Sequence, residues 1–355
     1  MAADILSGVR LVEFDGMGPT PLAARILADM GADVVRIARA GTVDRPGAAR
    51  ILANRAVVRL DLKSDAGKDA ALRLIAEADG VLEGFRPGVM ERLGLGPDTC
   101  LKLNARLAYV RLTGWGQDGP LAQRAGHDLN YIAITGALHA IGPADRPPPP
   151  PLNLLGDYGG GSTFAVMGLL AAILNARETG RGHVIDAAMV DGVAALSTAI
   201  HGLANAGRWR DVREANALDG GAPFYRCYTC SDGKFIAVAA LEPPFFAQLL
   251  KGLEIDSARF DQRDEACWPA MKAEFEACFM RRTRDQWAAI FEGTDACVAP
   301  VLSFAEARQH PHNIARETFD APLPAPAPRF ASAPPKADAG GEIGVDEVLA
   351  RWRCP

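Results

Sequence analysis

Two short stretches carry residue types suited to moving a proton. Gly126-His127-Asp128-Leu129-Asn130-Tyr131 offers an imidazole. Gly156-Asp157-Tyr158-Gly159-Gly160-Gly161-Ser162 offers a carboxylate about thirty residues later. A His and an Asp that converge on one small pocket can take a proton from one face of a substrate and return one to the other. His127 is set apart from the other five histidines by context. It lies between Gly-rich segments, outside any amphipathic pattern, and loops carry function more often than element interiors. His139, His183, His201, His310 and His312 read as structural, and no His/Cys cluster has metal-ligand spacing, so no metal is expected.

Read alone, Asp157 serves equally well as a helix N-cap. The three glycines after it cost chain entropy. They predict close approach of a ligand to a helix beginning near Ser162, whose bare N–H groups would hold an oxyanion. Glu242 stands at a strand-to-helix corner before Pro243-Pro244. It is either a first-turn acid favoured by the helix dipole or a carboxylate that orients a histidine. Cys227-Tyr228-Thr229-Cys230 falls in a strand pattern, where residues three apart face opposite sides, so its two sulfurs should diverge. No G-x-S-x-G or Walker sequence is present.

The elements that must position these groups read as an α/β fold with a doubly wound sheet. Residues 9–14 form a β-rich run, 16–21 a turn, 22–30 a helical pattern and 32–37 a second strand, which is a βαβ unit. Strands follow at 56–62, 80–83 and 107–112, with a helix at 67–78. The first turn carries Gly16 and Gly18, but Pro21 replaces the third glycine of a dinucleotide fingerprint, and the second strand ends in Arg36-Ile37-Ala38-Arg39 rather than an acid. Arginine there suits a phosphate, as on NADP or coenzyme A, or is simply solvated. Pro147 through Pro151 form a stiff run between the two motifs, a strut of fixed length. A helix to residue 177, a strand at 183–189 and a helix at 190–203 come next. A hairpin around Ser231-Asp232-Gly233 and three helical patterns predict a smaller α+β domain, and 322–335 reads as a proline-rich linker or surface wrap. A final helix is expected within 344–352.

The bulk numbers fit a two-domain globular protein. The chain has 355 residues, 49% hydrophobic and 23% charged, with a net charge of −5 that gives no footprint for nucleic acid. No signal peptide or peroxisomal address is evident, the most apolar stretch, 164–174, reads as too short to span a membrane, and seven irregularly spaced cysteines suit a reducing cytoplasm.

Taken together, these words resemble the class III CoA-transferase family, and within it the bacterial α-methylacyl-CoA racemase branch. The matching stretches include Gly31-Ala32-Asp33-Val34-Val35-Arg36-Ile37, Phe85-Arg86-Pro87-Gly88-Val89-Met90-Glu91-Arg92-Leu93-Gly94, Thr113-Gly114-Trp115-Gly116-Gln117, Gly126-His127-Asp128, Gly156-Asp157, Asp186-Ala187-Ala188-Met189-Val190-Asp191-Gly192 and Ala240-Leu241-Glu242-Pro243. The resemblance implies a Rossmann-like CoA-binding large domain over 1–205, to which 315–355 returns, a small α+β domain over 206–314, and an interlocked homodimer. It implies His127 and Asp157 as the two acid/bases, with Glu242 of the second subunit as the partner of the histidine. For the acyl-CoA it implies Arg39, Leu60, Asp61, Leu62, Lys63, Gly84, Phe85, Arg86, Pro87, Gly88, Arg92, Gly126, Asp128, Leu129, Asn130 and Tyr131. The expected activity is racemisation of 2-methylacyl-CoA thioesters through an enolate. No cofactor is expected beyond the CoA of the substrate, and neither a nucleic acid nor a membrane as partner. A CoA-transferase using Asp157 as nucleophile is the alternative. An NADP reductase or a non-catalytic CoA-binding module are more distant ones.

Overall fold

The computed structural model describes residues 5–41, 51–320, 323–330 and 340–353. Met1 to Asp4, parts of the proline-rich 322–335 segment and the terminal Cys354-Pro355 lie outside the described residues. The chain divides into two units. One comprises Met1–Ala137, Pro150–Thr198 and Leu323–Pro355, and the other Leu138–Pro149 and Ala199–Pro322. The proline run expected as a strut is itself divided, with Pro147, Pro148 and Pro149 in the second unit and Pro150 and Pro151 in the first.

The first unit is a parallel sheet. Its strands are β1 (Arg10–Phe14), β2 (Asp33–Arg39), β3 (Ala56–Leu60), β4 (Gly80–Glu83), β5 (Ala108–Thr113) and β6 (His183–Ala188). Their spatial order is β3-β2-β1-β4-β5-β6, and a short strand Gly341–Glu342 adds to the free edge of β3. This is the order of a doubly wound Rossmann-type sheet, with its switch point between β1 and β4. The strands were legible because parallel strands buried on both faces read as continuous apolar runs: β4 and β5 are buried at every position. Two clusters cover the faces. One joins Val12, Phe14, Leu74, Ile75, Tyr109 and the C-terminal helix residues Leu349 and Trp352. The other joins Leu11, Leu27, Val110, Leu169 and Ile173. Each fully buried Leu, Val or Ile here contributes about 1.5–3 kcal/mol relative to exposure.

Among the helices, α1 (Pro19–Asp29) begins three residues earlier than expected. Proline suits a first turn, where its missing N–H is not needed, so Pro19 starts the helix rather than extending the turn. Helix α2 (Asp65–Glu77) is capped by Ser64, whose Oγ accepts the N–H of Gly67. The short α3 (Val89–Arg92) and α4 (Pro97–Leu103) follow β4, and α5 (Asp128–Ile134) follows β5. The long helix differs most from expectation. It begins at Leu154 with a π-helical segment, Leu154–Ser162, and continues as α6 (Thr163–Thr179) to a left-handed Gly180. Leu154–Thr179 is therefore 26 residues long, and is long and apolar enough to cross a membrane by length and composition. This corrects the expectation of a stretch too short to do so. Half of that apolar window is buried inside the protein, with Ala165, Leu169, Ala172 and Ile173 packed in the core.

The helix expected over 190–203 is two helices, α7 (Met189–Leu196) and α8 (Thr198–Asn205). Ser197 Oγ donates to Val193 O and Thr198 Oγ1 to Ala195 O, and such local bonds compete with helical continuation. In the second unit, β7 (Tyr225–Thr229), β8 (Phe235–Ala239) and β9 (Val298–Pro300) form an antiparallel sheet. It packs with α9 (Pro243–Gly252), α10 (Trp268–Phe279) and α11 (Arg284–Phe291) around Tyr228, Phe275, Phe279 and Trp287. Cys227 is exposed, Cys230 is buried, and both are free, as the strand geometry predicts.

Candidate active site

Parallel strands bring their carboxyl ends to one edge, where the sequence-predicted loops gather. Arg39 ends β2 and is exposed. Leu60 closes β3, with Asp61 and Lys63 exposed and Leu62 half-buried beyond it. Gly84, Phe85, Arg86, Pro87 and Gly88 leave β4, with Arg86 exposed and Pro87 buried, and Arg92 is exposed on α3. Thus the cations suited to phosphates face solvent. Arg36, the other arginine considered for a phosphate, does not. It is 1% exposed, lies beside Glu13 across the β1–β2 pairing and donates to Asp15 Oδ1 at 3.2 Å. This removes half of the support for an NADP phosphate site.

The β4 exit has a buried acid under it. Glu83 accepts the N–H of Phe85 at 2.7 Å and pairs with Arg111 of β5 at 3.1 Å. Burial pushes its carboxyl up to about 7, against the opposing hydrogen bond and the Arg111 charge. Glu13 behaves alike, pushed up to about 7 by burial although Arg55 bonds it at 2.7 Å. Neither acid was singled out from the sequence, because a strand-end Glu looks the same whether buried or solvated.

His127 occupies the N-cap position of α5 with extended backbone, and its ring is exposed. Its N–H donates to the side chain of Asn130 at 3.1 Å, while its carbonyl accepts from Asn130 and Tyr131. Leu129 and Asn130 are exposed. Tyr131 is buried against Trp115 in an edge-on contact with centroids 4.7 Å apart, and its hydroxyl donates to Gly126 O. A side chain on Gly114 or Gly126 would overlap the Tyr131 ring, so these glycines serve that packing. The tyrosine thus braces the loop that carries His127.

Asp157 lies within the π-helical turn, not before a helix. Two expectations change accordingly. Gly160 and Gly161 are buried, and β-carbons there would crowd Val193, Met189 and Pro19, so these glycines allow close helix packing rather than ligand approach. The N–H groups of Gly156 and Asp157 are not bare either. Both donate to Asp128 Oδ2, at 2.6 and 2.7 Å. Hydrogen bonds to a charged acceptor contribute about 1.5–3 kcal/mol each. π-Helical segments are rare and recur frequently at functional sites.

The Asp157 carboxyl is half-buried. Burial raises its pKa and the nearby Asp128 charge raises it further, while a hydrogen bond from Asn153 Nδ2 at 3.2 Å and the proximity of His127 oppose the shift. On its other side stands Gly18, at φ 72°, where a β-carbon would lie 3.3 Å from Asp157 Oδ2. Ser162 Oγ donates to Pro19 O at 2.7 Å, which ties the first βα turn to the same helix. Gly18 and Asn153 were missed. The turn had drawn attention only as a broken dinucleotide fingerprint, whereas its use is to wall Asp157. The two principal motifs are therefore brought together within one unit, as their chemistry requires.

Glu242 folds with the second unit. It is exposed at the N-cap of α9, where its carbonyl accepts the N–H groups of Phe245 and Phe246. Among the described residues, no group of three or more His, Cys, Asp or Glu is placed to hold a metal ion.

Comparison with known proteins identifies the family and agrees with the fold. The model of CoA-transferase family III matches residues 6–338. An alpha-methylacyl-CoA racemase of Mus musculus is 45% identical over 97% of this chain and 91% of its own length. That of Homo sapiens is 44% identical over 88% and 82%. Among solved structures, a CAIB/BAIF family protein from Brucella suis superposes with a TM-score of 0.80 at 24% identity, over 98% of this chain and 99% of its own, which supports the fold. Sheet order, motif placement and sequence identity lead to one assignment: this chain belongs to CoA-transferase family III.

Proposed function

We propose that this protein is an isomerase that interconverts the (2R) and (2S) forms of 2-methylacyl-CoA thioesters by 1,1-proton transfer. The observation that carries the reading is that Asp128, next to His127 in the chain, accepts the backbone N–H of Asp157 at 2.7 Å, which draws the segments bearing an exposed imidazole and a half-buried carboxyl together. Relatives that share 44–45% of its residues are named for that activity.

The chemistry follows from the groups present. A thioester acidifies its α-hydrogen because the carbanion delocalises into an enolate. His127 removes the proton from one face while Asp157 delivers one to the other, and the reverse reaction exchanges the roles. One group must hold a proton while the other does not, so both must titrate nearer neutrality than a free carboxylate. Burial does this for Asp157. The runner-up is a CoA-transferase with Asp157 as nucleophile, a chemistry that has no use for a second base at His127.

The CoA moiety takes the carboxyl edge of the sheet, with the exposed Arg39, Lys63, Arg86 and Arg92 as phosphate partners and the 60–63 and 84–88 segments, Gly126 and 129–131 as its walls. No cofactor beyond this CoA is required by the reaction. Two copies interlock, and Glu242 of one orients His127 of the other. Helix α8 supports the dimer, since it has apolar Ile200 and Leu203 yet no buried residue in one chain. The six described cysteines are all free, which suits the cytoplasm.

The test is incubation with a single 2-methylacyl-CoA enantiomer in deuterated water, without an acceptor acid. Deuterium at C2 and loss of optical purity are expected, and His127→Ala should lower both by at least about 100-fold. Transfer of CoA to an added carboxylate without exchange at C2 would overturn the racemase reading.

A further inference from the structure

We propose that the Asp128 side chain is a positioning residue that sets the distance between the two proton-transferring groups and does not bind substrate. The inference rests on the proton-transfer reading of His127 and Asp157. Asp128 follows His127 in the chain, so fixing its side chain fixes the His127 loop. That side chain is 5% exposed. Its Oδ2 accepts the N–H of Asp157 itself and that of Gly156, across 29 and 28 residues of chain. One oxygen thus pins the backbone of one acid/base to the neighbour of the other. The approach is close enough that a β-carbon on Gly156 would stand 2.8 Å from Oδ2. The second oxygen, Oδ1, is buried and has no hydrogen-bond partner among the described residues. Both backbone N–H groups converge on the one oxygen, so the carboxylate is committed to holding the Gly156-Asp157 backbone.

The Asp128 charge has a second consequence. The groups bearing on Asp157 are Asp128, the Asn153 amide and His127. Tyr131 lies beside the same cluster, its hydroxyl pushed up to about 12 first by burial and then by Asp157. Arg86 also bears on that tyrosine. Of these, Asp128 is the acid that works with burial to raise the Asp157 pKa. Deleting its charge should lower the Asp157 pKa.

Two variants separate geometry from charge. In Asp128→Asn the amide oxygen replaces Oδ2 and still accepts both N–H groups, but without charge. We expect a fall in kcat of about tenfold, since charge-assisted bonds are roughly twice as strong as neutral ones. KM should stay within about twofold, and the acid limb of the kcat/KM profile should move to lower pH. Asp128→Ala frees the two loops, and kcat should fall about 100-fold, the cost of misplacing reacting groups by an ångström. Circular dichroism and a thermal melt report folding; if Asp128→Ala unfolds, Asp128→Asn decides. A raised KM with kcat and pH profile unchanged in Asp128→Asn would make Asp128 a substrate ligand and overturn the proposal. Wild-type protein that exchanges no α-proton would instead overturn the proton-transfer reading itself.

Discussion

Gly18 shows how a single position acts on the chemistry without any reactive group. Its φ of 72° is open to glycine, whereas an L side chain there costs about 1–2 kcal/mol. The added carbon would also press on the Asp157 carboxylate from 3.3 Å. Gly18→Ala should therefore lower the thermal midpoint by a few degrees and kcat by more than about tenfold while KM changes little, because the crowding falls on an acid/base and not on a CoA contact. Steady-state kinetics beside a melting curve check this. An equal loss in kcat and stability-corrected active fraction would instead mean that Gly18 matters only for folding. The position was visible in the sequence as part of a G-x-G. Its neighbour was not, because Asp157 lies in a different element far along the chain.

At the scale of elements, the helix carrying Asp157 is held by the crossing of its π-helical segment with α7. A β-carbon on Gly192 would overlap the carbonyl of Gly160, and one on Gly160 would stand 2.7 Å from Val193 Cγ2. At Gly192 the added carbon meets backbone, which cannot yield as a flexible side chain can, so overpacking there costs about 1–3 kcal/mol or more. Gly192→Ala should reduce stability by at least that much in denaturant unfolding and shift the Asp157 helix, with activity falling further than stability alone explains. Wild-type stability in that variant would show that the helices separate at little cost. The sequence showed α6 and α7 as apolar runs on either side of β6. It did not show that Gly160 and Gly161 are for packing, since close approach to a ligand and close approach to a helix demand the same missing side chain.

For the whole molecule, the open question is how many copies complete the site. Glu242 belongs to the unit that includes Ala199–Pro322, while His127 and Asp157 belong to the other. Helix α8 leaves Ile200 and Leu203 only half-covered in one chain. The proposed dimer buries them. Leu203→Glu should then shift sedimentation from dimer to monomer and reduce exchange of the α-proton in parallel. A variant that sediments like wild type would place the interface elsewhere, and a fully active monomer would show that one chain completes its own site.

The sequence by itself determined the elements and much of their order. Period-two and period-3.6 patterns, continuous apolar runs and Gly or Pro punctuation are local, so β4 and α10 are read where they occur, at 80–83 and 268–279. It also singled out His127, Asp157 and Glu242, because loop context and motif are properties of neighbouring residues. Tertiary structure alone decided what those residues touch. It turned the Asp128 side chain inward onto the backbone of Asp157, buried Arg36 beside Asp15, placed Gly18 against the carboxylate and lodged Asp157 inside a helix rather than before one. The reason is physical. Hydrogen-bond acceptance, desolvation and excluded volume act through space over a few ångströms, and the groups that exert them here come from segments 21 or more residues apart in the chain.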